Sequence, residues 1–150
     1  MSQASFCDAK REQNGLLAAA ERRALLWMAA RLPSWIHSDH LTALGLLAML
    51  AAGVAYGCSS LDSRFLYAVN LCLLLNWAGD SLDGTLARYR NRQRPRYGFY
   101  VDHILDTFSV SFLCGGLAVS GYMSPQIVAL VLIAYFMLCI NVYLATYTLV

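Results

Sequence analysis

Charge is scarce in this chain. Charged residues make up 13% and hydrophobic residues 59% of the 150 positions, a balance well outside that of soluble domains. The length suits a single domain. Paired cysteines are missing as well. Cys7, Cys58, Cys72, Cys114 and Cys139 contain no CxxC pair, and the last four fall in apolar stretches. They are read as small packing residues, and neither zinc nor a disulfide is inferred. No short apolar core follows a basic start, so no cleaved signal peptide is expected.

What is present is a series of apolar, helix-length runs. Residues 1–31 carry Lys10, Arg11, Arg22, Arg23 and Arg31 among alanines and leucines. Leu16, Leu17, Ala20, Leu25, Leu26 and Met28 partly follow a helical period. An amphipathic helix on a membrane surface is expected over about 10–32, behind a solvated tail. Ser38 or Asp39 can cap the next helix. Leu41 to Cys58 is uncharged and long enough to span a bilayer. Its Ala43, Gly45, Ala48, Ala51, Ala52 and Gly53 permit close helix packing. Further spans are expected at about 65–87, 97–121 and 125–150, with Gly121, Tyr122 and Pro125 forming the last turn. The fold class is therefore an all-α integral membrane bundle: one surface helix and about four spans.

Four of the nine acidic residues sit in one stretch. It reads Asp80-Ser-Leu-Asp83-Gly84-Thr-Leu-Ala87-Arg88, then nine residues, then Gly98-Phe-Tyr-Val-Asp102-His-Ile-Leu-Asp106. A charge inside a membrane segment costs at least about 2.5 kcal/mol, so four carboxylates need a compensating partner. A divalent cation is the natural one. Asp80 and Asp83 are i, i+3 on a helix, and Asp102 and Asp106 are i, i+4, so each pair shares a face. Gly84 and Gly98 lie on those same faces and leave a ligand room to approach the backbone. Such hard oxygen ligands suit Mg²⁺, Mn²⁺ or Ca²⁺ rather than zinc. Asn76, one turn before Asp80, can reach a ligand or make a helix–helix hydrogen bond. His103 lies about 100° round the helix from Asp102 and is read as structural.

This pattern, Asp-x₂-Asp-Gly-x₂-Ala-Arg followed by Gly-x₃-Asp-x₃-Asp, resembles the signature of the CDP-alcohol phosphotransferase family. The match comprises Asp80, Asp83, Gly84, Ala87, Arg88, Gly98, Asp102 and Asp106. The gap after Arg88 is nine residues, where the family has seven or eight. The resemblance implies a membrane enzyme that transfers a phosphatidyl or other phosphoalcohol group from a CDP-linked donor to an acceptor hydroxyl, releasing CMP. CDP-diacylglycerol is the expected donor, a small alcohol the acceptor, and phospholipid biosynthesis the setting. By the same resemblance Asp80, Asp83, Asp102 and Asp106 are metal ligands for Mg²⁺ or Mn²⁺, two ions in all, and Asp106 is the general base. Asp80, Gly84, Ala87, Arg88 and Gly98 would hold the CDP moiety, and a homodimer is implied. The family fold has six spans and four are legible here. The resemblance thus covers the N-terminal two-thirds of such a protein, and spans five and six are expected to be lacking.

Arg88, Arg90, Arg92, Arg94 and Arg96 crowd the segment between spans two and three. They mark a cytoplasmic loop by the positive-inside rule and attract anionic headgroups and phosphates. Nucleic acid is not an expected partner, because the loop abuts two membrane spans. The N-terminal segment and this loop hold ten of the eleven basic residues, which puts the N-terminus and the acidic site on the cytoplasmic side. A bacterial inner membrane is the expected location. Two other readings share the composition: a membrane prenyltransferase-like diphosphate enzyme and a catalytically incomplete membrane interaction protein. The first would want an acid where Gly84 stands, and the second would bind CDP-lipid without turnover or not at all. A buried-acid transporter or proton relay would not need Gly84, Ala87 and Arg88 at their positions.

Overall fold

The computed structural model describes residues 18–148. The expected start of the surface helix at 10–17, Cys7 and residues 149–150 lie outside them. The described chain forms five helices: α1 (Ala18–Arg31), α2 (Ser38–Cys58), α3 (Phe65–Tyr89), α4 (Pro95–Ser120) and α5 (Pro125–Thr148). There is no strand among the described residues. The helices α2 to α5 are each long and apolar enough to cross a membrane. A helix satisfies its own backbone within one segment, as lipid demands.

The bundle is built around α2. It packs against both α3 and α4, while α1 lies on α3 and α5 on α4. Among the described residues, α3 and α4 make no close backbone approach of their own. Small residues explain why α2 can serve both neighbours. Gly45, Ala48, Ala52 and Gly53 are buried, whereas Ala43 and Ala51 are exposed. Only one stripe of the expected small residues is therefore used for packing. A Cβ at Gly79 of α3 would lie 2.7 Å from the Leu41 carbonyl oxygen and 3.1 Å from the Gly45 nitrogen. On the other side, the backbones of Gly53 and Gly116 cross so closely that a Cβ at Gly116 would run into the Gly53 carbonyl. The absence of side chains lets the backbones make van der Waals contact, which holds helices together in lipid. With α2 packed against both, α3 and α4 stand apart and leave a cleft lined by residues of both.

Local signals set the helix ends. α2 begins earlier than the expected capping residues. His37 is its N-cap, and its N–H donates to His40 Nδ1 at 3.0 Å. Neither Ser38 nor Asp39 caps the helix, because both already lie inside it. α4 starts at Pro95, whose missing N–H is no loss at the first helical position. It ends on Gly121 in the left-handed region, φ 81°. α3 closes with Asn91 at φ 52°. There the Asn91 N–H reaches the Arg88 carbonyl at 3.1 Å and the Arg92 N–H reaches the Ala87 carbonyl at 2.9 Å. That pair of bonds is a Schellman ending.

Two apolar clusters fix the ends of the bundle. Leu25 and Ala29 of α1 pack with Leu41, Leu82 and Leu86. Ala52 and Ala55 pack with Val69 farther along α2. α5 exposes Leu130, Ile133, Met137, Leu138 and Ile140, as expected of a helix that faces lipid on most sides.

Candidate active site

The cleft between α3 and α4 gathers the acids. Oxygens of Asp80, Asp83 and Asp102 all lie within 4.8 Å of one another. Asp80 and Asp83 come from the last turns of α3, Asp102 from the second turn of α4. Asp80 and Asp102 are exposed to the cleft, while Asp83 is buried. The buried one is held by donors. Thr42 Oγ1 of α2 donates to Asp83 Oδ2 at 2.6 Å, and the Gly84 N–H donates to Asp83 Oδ1.

This donor set fits a hard divalent cation. An octahedral Mg²⁺ takes oxygens at about 2.1 Å, so its ligands stand no more than roughly 4.2 Å apart. Small rotations of the two exposed carboxylates cover the difference. Asp106, one turn beyond Asp102, is not a member of the triple. It lines a small cavity of about 20 Å³ with Asp80 and Asp102, bordered by Asn76 and Ser109. Asp80 and Asp102 thus stand between the Asp83 side of the cleft and the Asp106 side.

On the other side of the acids lies a cavity of about 110 Å³, lined by Asp83, Gly84, Ala87, Gly98 and Asp102. The motif glycines and alanine therefore line one cavity, Gly84 and Ala87 from α3 and Gly98 from α4. A Cβ at Gly98 would meet nothing within 4 Å, so that part of the wall is open. Thr42 lines both this cavity and the smaller one.

The arginines divide by task. Arg88 folds back over Gly84 and donates to Thr85 Oγ1 at 3.3 Å. It does not line either cavity beside the acids. Arg90 donates to the carbonyls of Leu32 and Pro33, each at 2.9 Å, and to that of Ile36. It therefore ties the α1–α2 connector to the end of α3. Arg94 pairs with Asp39 at 3.5 Å, and its guanidinium carbon lies 5.3 Å from the Tyr97 ring centroid. Arg92 and Arg94 both line the cavity beside Gly84.

Asn76 makes the helix–helix bond, donating to the Gly45 carbonyl at 3.3 Å. It still borders the Asp106 cavity. His103 turns away from the acids. Its Nδ1 lies 2.7 Å from the Phe99 carbonyl, and its ring packs on Tyr143 of α5 with centroids 5.1 Å apart. Thr42 and Arg92 had no individual signal in the sequence. Thr42 sits in an apolar run 41 positions from its partner, and Arg92 is one of five clustered arginines.

Four membrane-length helices, three of which (α2, α3 and α4) line the cavities around a carboxylate triad with a basic loop beside it, define a membrane protein suited to a cation and an anionic ligand. The comparison with known families agrees. Residues 35–150 match the family model of the CDP-alcohol phosphatidyltransferases. The chain belongs to that family, whose reaction is phosphatidyl transfer from a CDP-alcohol. No curated protein and no solved structure matches the chain.

Proposed function

We propose that this protein transfers a phosphatidyl group from CDP-diacylglycerol to the hydroxyl of a small alcohol, releasing CMP, in phospholipid biosynthesis. The observation that carries the reading is the meeting of Asp80, Asp83 and Asp102 beside a cavity that Gly84 and Ala87 line from α3 and Gly98 from α4. The acids suit a metal-bound diphosphate, and the small residues leave a nucleoside room between the helices.

In this reading Asp80, Asp83 and Asp102 hold Mg²⁺ or Mn²⁺, and Asp106 with Asp80 contributes to a second site. A divalent cation there supplies charge neutralisation on the diphosphate. Asp106 accepts the proton of the acceptor hydroxyl as its oxygen bonds to the β-phosphorus. The bond from that phosphorus to the bridging oxygen breaks, and CMP leaves with the electron pair. The Asp106 cavity is the acceptor side, and the Gly84 cavity is the nucleotide side. Arg88 contacts phosphate once its bond to Thr85 is released. The protein works as a homodimer in a bacterial inner membrane, with the cleft and the N-terminus facing the cytoplasm, as the arginine distribution favours.

The test is CMP release from CDP-diacylglycerol by the chain in lipid vesicles. Glycerol 3-phosphate, serine and inositol phosphate serve as acceptors, with Mg²⁺, Mn²⁺ or chelator. Release that needs a metal and is lost in Asp106→Asn supports the proposal. Well-folded protein that neither binds CDP-diacylglycerol nor releases CMP would sink it.

A further inference from the structure

At the basic end of the cleft stands a cation that has no partner among the described residues. The cavity beside Gly84 adjoins a larger one of about 190 Å³, bordered by His37, Leu86 and Arg90. The two share Ser38, Asp39, Ala87, Arg92 and Arg94. They form one hollow that is acidic at the α3–α4 cleft and basic at the loop. Of its three arginines, Arg90 donates to the connector carbonyls and Arg94 pairs with Asp39. The Arg92 side chain makes no ion pair or hydrogen bond among the described residues.

The backbone of Arg92 is nevertheless well anchored. Its N–H closes the Schellman ending of α3 on the Ala87 carbonyl at 2.9 Å, and Asn91 supplies the left-handed residue that the turn needs. Ala87 also lines both cavities. The turn therefore holds the base of the Arg92 side chain at the rim of the nucleotide side. An unpaired guanidinium held at the edge of a hollow is suited to a phosphate oxyanion, which it can grip through two N–H groups.

We infer that Arg92 binds the cytidine-linked phosphate of the donor, and of the CMP that leaves. The inference rests on the CDP-alcohol reading above and adds to it a residue outside the motif. The carboxylates reach the diphosphate only through a cation, and the Arg92 guanidinium, which lines the same cavity as Asp83 and Asp102, gives the cytidine-linked phosphate a second positive partner. Arg92 also meets the charge that grows on CMP as the bond breaks, so its effect reaches turnover as well as binding.

The experiment compares CMP with cytidine as ligands for the full chain, with Mg²⁺ present, in neutral detergent by equilibrium dialysis. Cytidine lacks the phosphate and so reports the rest of the site. Wild type is expected to prefer CMP. Arg92→Gln should weaken CMP binding about tenfold while leaving cytidine unchanged. Arg92→Lys should recover part of the preference, because it restores the charge without the fork. Unchanged cytidine binding also certifies that each variant is folded. A second arm repeats the CMP titration in phosphatidylcholine vesicles with and without phosphatidylglycerol. If phosphatidylglycerol erases the difference between wild type and Arg92→Gln, the anion on Arg92 is a lipid headgroup and the inference fails. If both variants keep the wild-type preference for CMP, it also fails, while the phosphotransferase reading stands. If wild type binds neither ligand, both fall together.

Discussion

Thr42 Oγ1 lies 2.6 Å from Asp83 Oδ2 and joins the central helix to the buried member of the acidic triple. Asp80 and Asp102 have the cleft to turn in, but Asp83 is held from two sides, by Thr42 and by the Gly84 N–H. It is therefore the fixed point on which the other two carboxylates converge. Thr42→Val keeps the shape and removes the donor. Partners that orient a ligating carboxylate are typically worth about 10-fold or more in metal affinity. Mn²⁺ titration followed by electron paramagnetic resonance should show about that loss in Thr42→Val and near wild-type affinity in Thr42→Ser. Equal affinity in all three proteins would mean that Thr42 does not orient the site.

The crossing of α2 and α4 can be tested one residue apart. A methyl at Gly116 meets the Gly53 carbonyl, whereas a methyl at Gly115 meets nothing within 4 Å. Gly116→Ala should cost about 1–3 kcal/mol, as overpacking does, and should lower the thermal unfolding midpoint in detergent. Gly115→Ala should leave the midpoint unchanged or slightly raised. Because α2 sets the separation of α3 and α4, Gly116→Ala should also weaken Mn²⁺ binding, and Gly115→Ala should not.

Arg90 reads in the sequence as one of four loop charges outside the motif, yet four backbone carbonyls, of Leu32, Pro33, Ser34 and Ile36, accept from it. Its planar fork reaches all four, and a lysine cannot. Arg90→Lys should therefore be destabilising although it keeps the charge, by about 2 kcal/mol. Limited proteolysis should show faster cutting in the connector between α1 and α2. A cleavage rate equal to wild type would show that the connector is held by other contacts.

Asn91 sits at φ 52°, where a β-branched side chain is strained by about 1–2 kcal/mol. Asn91→Val should unfold at lower temperature and, by disturbing the turn that carries Arg92, bind CMP less tightly. Asn91→Gly should match wild type on both measurements. If Asn91→Val alters neither, the turn does not position Arg92.

Chelation gives the simplest test of the acidic triple. In vesicles, removing divalent cations should abolish CMP release, and Mg²⁺ or Mn²⁺ should restore it. Asp102→Asn should need roughly 10-fold more metal for the same rate, since one charged ligand is gone. Activity that survives exhaustive chelation would show that the carboxylates have another role.

Much of this was legible without a fold. Lipid admits only segments whose backbone is satisfied internally, so long uncharged runs such as Leu41 to Cys58 had to be helices. Helical periodicity then put Asp80 with Asp83, and Asp102 with Asp106, on shared faces. Charge in so apolar a chain is costly, so the acidic stretch stands out as a site in the sequence alone. Periodicity, however, relates residues within one helix and says nothing of which faces meet. Tertiary packing decided that Asp102 joins Asp80 and Asp83 while Asp106 borders a separate cavity. It decided that Thr42, 41 positions away, holds Asp83. It also separated Arg90, Arg94 and Arg92 into a clamp, an ion pair and a cation with no partner among the described residues, because their roles depend on which carbonyls and carboxylates lie within reach. The approach of Gly79 to Gly45 and of Gly116 to Gly53 sets all of this. Where backbones touch, the spacing of the helices, and so the width of the cleft, follows from which residues have no side chain.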